Sequence, residues 1–249
     1  MGVILQSLSI FLCVGGASLL PLGLRDKIPA RYRQKDTLQS ARYVINTFAI
    51  ITALVLGLMI DSTKNTFNTT TSNVYMLATD LYFLDRSLQH YGVEADQARQ
   101  HLVSDLQQTL KRPKSIENSL ILDTAVSEAL LNSVDSSLND IKATDAEHIA
   151  QLQETKAQYQ KIVELQQELA EESAGVIPNP LIEMLAAWLI LLFASIGYQA
   201  PRNLFVAGNL ILASFLISGA LYLIIDMNAP FSGLIQVSTA PLERVIAEI

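Results

Sequence analysis

The chain has 249 residues, half of them hydrophobic, with a formal net charge of −7 and a mean hydropathy of +0.31, which excludes an ordinary soluble acidic domain. A single cysteine, Cys13, excludes an intramolecular disulfide and a cysteine-based metal cluster. Between Ser62 and Pro178 there are 9 Lys/Arg against 17 Asp/Glu, a surface that repels phosphate backbones, so no nucleic-acid partner is expected.

Four windows carry no charge: Met1 to Leu24, Tyr43 to Ile60, Met184 to Pro201 and Asn203 to Ile225. Each is close to the roughly 17–25 residues that a spanning helix needs. The expected fold is therefore all-α: an integral membrane protein with four transmembrane helices and a helical soluble domain between the second and third spans. A cleaved signal peptide is the competing reading of the first window, but no Lys or Arg precedes its apolar run. Residues 1–62 are predicted to hold the first two transmembrane helices, with Pro21 and Gly23 closing the first. A basic loop over 25–42 contains Arg25, Lys27, Arg31, Arg33, Lys35 and Arg42. Short cytoplasmic loops collect Lys and Arg, which puts this loop in the cytoplasm and the domain after the second span on the outside; the opposite orientation is the alternative.

From Ala41 to Tyr91 a 3–4 spacing continues past the end of the span: Ala49, Ala53, Leu56, Ile60, Thr63, Phe67, Thr70, Val74, Leu77, Leu81, Leu84, Leu88 and Tyr91. It predicts one long helix with an apolar stripe. Two helices meeting near Asn65 to Thr71, where β-branched and Asn residues weaken helix propensity, are the alternative. Residues 63–178 form the expected acidic antiparallel helical domain. Gly92 caps the long helix. A helix with Ala95, Ala98, Leu102, Leu106 and Leu110 runs to a break at Lys111-Arg112-Pro113-Lys114, and another starts near Glu117. A last one runs from about Asp145 to Glu172 with Ile149, Leu152, Tyr159, Ile162, Leu165 and Leu169 inward. Its N-terminus is Asp145 with His148, or Thr144 with Glu147 at capping-box spacing. Residues 179–227 hold the third and fourth spans. Residues 228–249 form a turn, an extended run over Leu234 to Val237, and a short amphipathic helix with Leu242, Val245, Ile246 and Ile249 on one face.

Catalytic, cofactor and metal sites are expected to be absent, and the protein is not expected to be an enzyme. His90, His101 and His148 lack the spacing of a metal site. Asp80, Asp85, Glu168, Glu171 and Glu172 read as a wet helix face. The sequon at Asn68 reads as chance in an Asn/Thr tract. Glu183 and Asp226 stand at span ends, where snorkelling accommodates a charge. Within the spans, Asn46, Thr47, Thr52, Asn209, Ser214 and Ser218 read first as interhelical hydrogen-bonding groups worth about 0.6–2 kcal/mol each, with Gly208, Ala213, Gly219 and Ala220 allowing close approach. Ala53, Leu56, Ile60 and Asn209 are the candidates for lining either a pore, with a dewetting constriction, or an ordinary helix seam.

In the tail, Leu223-Ile224-Ile225-Asp226, then Pro230-Phe231-Ser232-Gly233, then Ser238-x-x-Pro241-Leu242 resemble the C-terminal signature of the bestrophin-like family of bacterial membrane proteins. Leu56-Gly57-Leu58 and the stretch from Leu84-Asp85-Arg86 to Tyr91-Gly92 are similar to its central region. The signature turn is carried by Asp226, Pro230, Phe231 and Gly233. The resemblance implies a multi-pass bacterial plasma-membrane protein with four helices and a distant relation to bestrophins, which are pentameric anion channels. Bestrophins hold the domain between their second and third spans in the cytosol, whereas the basic first loop here argues for the outside. The partners implied are the lipid bilayer, further copies of the chain in a homo-oligomer, and anions. The expected function is an oligomeric anion channel or pore; the alternative is a non-enzymatic sensor or scaffold whose helical domain binds a partner or ligand.

Overall fold

The computed structural model describes residues 2–24, 35–111, 124–143, 145–173, 175–231 and 233–249. Among them lie α1 (Gly2–Leu24), α2 (Lys35–Tyr91), α3 (Asp96–Lys111), α4 (Thr124–Asp140), α5 (Ala146–Ser173), α6 (Asn179–Gln199), α7 (Leu204–Met227) and α8 (Ala240–Glu248), with a 3-10 turn over Val93–Ala95. No strand occurs among the described residues, so the fold is all-α. Within α1, α2, α6 and α7 are four segments long and apolar enough to cross a membrane. Most of the basic loop and the segment from Arg112 through the expected helix start at Glu117 lie outside the described residues, as do Thr144 and Ser232. Two compact units are present, residues 1–65 with 176–228 and residues 66–175 with 229–249.

In the first unit, α1 packs on α6 and α7. Ile10 and Val14 from α1, Leu56 and Met59 from α2, Leu185, Leu189 and Phe193 from α6, and Leu221 and Ile224 from α7 form one buried cluster. Helix α1 continues through Pro21 to Leu24, past its expected stop. Proline forfeits its own N–H bond and crowds the carbonyl one turn back, and here only the last turn is affected. The chain end of that turn is then satisfied from outside: Arg202 Nε donates to the Leu22 carbonyl at 2.9 Å, and Arg202 Nη2 donates to the Gly23 carbonyl, as a cation at a helix C-terminus should. Asn203 caps α7 by accepting from the Phe205 N–H at 3.1 Å.

At 57 residues, α2 is more than twice the length of an average span. It starts at Lys35, earlier than the expected Ala41, and shows no break between Asn65 and Thr71. The threonines there are accommodated because their hydroxyls donate to carbonyls one turn back: Thr63 to Met59 at 2.8 Å, Thr70 to Thr66 at 3.0 Å and Thr71 to Phe67 at 2.8 Å. Paired in this way, the polar groups sit in a helix without an orphaned donor.

The core of the second unit is built from Val74, Leu77, Leu81, Leu84, Leu88 and Tyr91 of α2, with Ala98, Leu102, Leu138, Ile162 and Leu169 from α3, α4 and α5. Gly92, at φ 103°, takes the left-handed conformation that turns α2 into α3. The expected stripe of α5 holds except at Ile149, which is exposed; Thr155 joins the buried set instead. At its N-terminus Asp145 Oδ1 accepts from the His148 N–H at 2.8 Å, and His148 Nδ1 lies 2.8 Å from both carboxylate oxygens. That hydrogen bonding holds the Asp145 carboxyl below its ordinary range and raises the His148 imidazole, so the cap is strongest between the two ordinary values and fades on either side. Helix α8 lays Leu242 and Ile246 into the same core, against α3. The run before it forms no strand; Val237 N–H donates to the Pro230 carbonyl at 2.8 Å.

Candidate functional site

Along the span portion of α2, Thr52, Leu56, Met59 and Thr63 are buried. About a quarter turn round the helix stand Ala53 and Gly57, exposed, and Ile60, part-covered, followed by exposed Asp61 and Lys64. Of the four residues singled out from the sequence, Leu56 therefore belongs to the seam inside the chain. Ala53 and Ile60, the latter 37% exposed, lie away from that seam. The reason is periodic: a strict seven-residue repeat slips by about 20° per heptad on a straight helix. Positions that face inward from Val74 to Tyr91 thus rotate off the face when carried back to Ala53. Asn209 is exposed as well; its side-chain N–H donates to the Phe205 carbonyl of its own helix at 2.8 Å.

Close approach of helices does not occur at Gly208 or Gly219, where an added Cβ would meet nothing within 4 Å. It occurs at Gly197 of α6, where a Cβ would stand 2.0 Å from the Ser18 carbonyl oxygen and 2.8 Å from its carbon. Nearby, Gly15 of α1 faces Ser214 of α7. Ser18 and Ser214 are fully buried and donate to carbonyls on their own helices, Gly15 and Leu210 respectively, both at 2.8 Å. The expectation of interhelical bonding is corrected for Ser214: bonding back to its own helix makes it, like Ser18, a small, satisfied contact surface.

The signature turn is anchored more deeply than snorkelling would allow. Asp226 is 0% exposed, so the expected accommodation at an aqueous span end is overturned for it, whereas Glu183 is exposed. Two residues beyond Asp226, Asn228 accepts from the Ile177 N–H at 2.9 Å and donates to the Ile177 carbonyl at 3.1 Å. This bidentate clamp ties the end of α7 to the segment entering α6. Pro230 is buried, Phe231 packs against the second unit's core, and Gly233 adopts φ 121°. A side chain at Gly233 would be strained there.

Of the five carboxylates read as a wet face, Asp80, Asp85, Glu168 and Glu172 are engaged, while Glu171 is exposed. Asp85 is 8% exposed and accepts from Arg99 Nε at 2.7 Å and Nη2 at 3.4 Å; the hydrogen bond to Asp85 raises the guanidinium pKa further. Asp80 accepts from Gln158 Nε2 at 3.0 Å. Buried Asn73 donates to Glu168 at 3.4 Å and Glu172 at 3.2 Å. One signal for Arg99 was present in the sequence: Asp85 and Arg99 stand at equal distances on either side of Gly92, and a hairpin there brings them level. The three histidines do not converge, since His90 is exposed, His101 meets Ser137 and His148 belongs to the α5 cap.

Compared with known proteins, residues 12–242 match the family model described as Bestrophin-like domain. No curated protein and no solved structure matches the chain.

Proposed function

The chain belongs to the Bestrophin-like family, and from that premise we propose that it is a non-enzymatic, homo-oligomeric membrane pore for anions in which the uncovered face of α2 looks onto the axis. One observation carries the reading: α2 buries Thr52, Leu56 and Met59 but leaves Ala53 and Gly57 exposed and Ile60 37% exposed. Small residues at Ala53 and Gly57 would let copies of α2 approach closely, and a ring of Ile60 side chains would form a hydrophobic constriction that gates by dewetting. Exposed Lys64 lies one turn beyond Ile60 and would supply positive charge at its mouth, offset in part by exposed Asp61 beside it. Purified protein in liposomes is expected to pass anions, with Ile60→Ala raising conductance and Lys64→Gln lowering anion preference. Bilayers that stay silent across voltages, or an Ile60→Ala variant indistinguishable from the parent, would count against it.

On this reading α3, α4 and α5 form a soluble helical domain inserted between the second and third spans, and it faces away from the cytoplasm. The supporting feature is the concentration of six of the seventeen basic residues in positions 25–42. Impermeant thiol reagents applied to intact cells are expected to label Gln153→Cys but not Gln39→Cys in a Cys13→Ser background. The reverse pattern would place the domain in the cytosol.

A further inference from the structure

Between α2 and α6 the first unit contains an apolar groove of about 450 Å³, walled by Val44, Phe48, Met184, Trp188, Leu191 and Ser195 among others. A second cavity of about 170 Å³, lined by Thr52, Val55, Met59 and Leu181, shares Met184 and Trp188 with it. The two helices run antiparallel here, since Val44 and Phe48 share the first cavity with residues up to Ser195, whereas Thr52 to Met59 share the second with residues from Leu181 to Trp188. Trp188 stands between the two cavities, its ring meeting Phe48 edge-on at 5.4 Å.

Three properties identify the occupant. The rise from Met184 to Ser195, roughly 16 Å at 1.5 Å per residue, matches about half of a hydrocarbon core near 30 Å thick, the depth of one leaflet. The lining is almost wholly apolar, and its polar member, Ser195, lies at the end nearest Arg42. Arg42 is exposed and stands one helical turn before Ile45, which also borders the groove. Arg42 does not itself line the slot, but a long cationic side chain within a turn of its wall, beside a slot one leaflet deep, is complementary to a molecule with a long hydrocarbon chain and a negative head.

We propose that this groove binds one acyl chain of an anionic phospholipid, with the chain along Trp188 and the phosphate at Arg42. This is independent of whether the protein conducts ions, and it assigns a lipid site to the seam of the second and third spans.

Trp188 is the only tryptophan in the chain, so its emission reports the groove alone. The full-length protein is to be reconstituted in phosphatidylcholine vesicles containing a small fraction of phosphatidylglycerol brominated on its acyl chains. The inverse mixture, brominated phosphatidylcholine with unlabelled phosphatidylglycerol, is the reference. The expected result is that brominated phosphatidylglycerol quenches Trp188 about fivefold more than its mole fraction predicts, matching roughly 1 kcal/mol for one basic side chain at an anionic head. Arg42→Gln should bring quenching back to the mole fraction while leaving it intact in fully brominated bilayers. Ala187→Phe, at an exposed position bordering the groove, should fill the slot and reduce quenching by either lipid without changing α-helical content. Quenching proportional to mole fraction in the parent protein, or an unchanged preference in Arg42→Gln, would overturn the proposal. So would the absence of quenching by any brominated lipid, which would assign the groove to a second copy of the chain.

Discussion

Gly197→Ala is expected to destabilise the membrane-spanning unit by about 3 kcal/mol, the upper end of the range for overpacked interiors. The added methyl would have to sit 2.0 Å from a backbone carbonyl oxygen of α1, and backbone cannot rotate aside as a side chain can. Helices α1 and α6 would have to part along their length. In a bilayer this is costly because helix association rests on close van der Waals contact, without a hydrophobic drive. Ser18 and its neighbours Gly15 and Ser214 would lose contact together. Thermal unfolding in detergent, followed through Trp188, should show a clear fall in midpoint. Gly208→Ala and Gly219→Ala, whose added methyls meet nothing within 4 Å, should be neutral or slightly stabilising, since alanine is the better helix former by roughly 0.5–1 kcal/mol. A Gly197→Ala protein as stable as its parent would mean that α1 and α6 do not touch where the structure has them touching.

The contrast among these glycines shows what could be read from the chain beforehand. Hydropathy and charge located all four apolar segments, because the membrane imposes a coarse constraint of about twenty uncharged residues. The apolar ridge from Val74 to Leu88 was legible for a similar reason: five positions repeat the same spacing and all end up buried. Which glycine receives a neighbour's backbone was not legible. That depends on the rotation of α6 about its own axis, and an apolar helix with no polar side marks no preferred rotation. For the same reason Ala53 and Ile60 were not separable from Leu56, until the buried stripe on α2 proved to follow 3.6 residues per turn there, including Thr52 and Met59. Asp226 escaped because whether a carboxylate at a span end is covered depends on how that end packs, which has no local signature; here the end of α7 is tied to Ile177 through Asn228.

Arg99→Ala is expected to cost the second unit about 3 kcal/mol, the value typical of breaking a largely buried ion pair from one side. The carboxylate of Asp85 is only 11% exposed and the Arg99 side chain 31%; removing the cation leaves a desolvated charge without its donors. The two groups close the α2–α3 hairpin around Gly92 at Nε–Oδ1 2.7 Å, so the loss falls on a hairpin whose Leu88 and Ala98 belong to the core. The asymmetry of such pairs gives a sharper test than the single substitution. Exchanging both partners for apolar residues of similar bulk, Asp85→Leu with Arg99→Met, should recover most of the loss, because no charge then needs solvation. Chemical unfolding of the full chain in micelles, taken as a double-mutant cycle, measures the coupling directly. If Arg99→Ala changes the midpoint no more than substitution of an exposed residue such as Arg86, the pair is a solvated surface contact and the Leu84-Asp85-Arg86 motif must be explained by something other than the hairpin it joins.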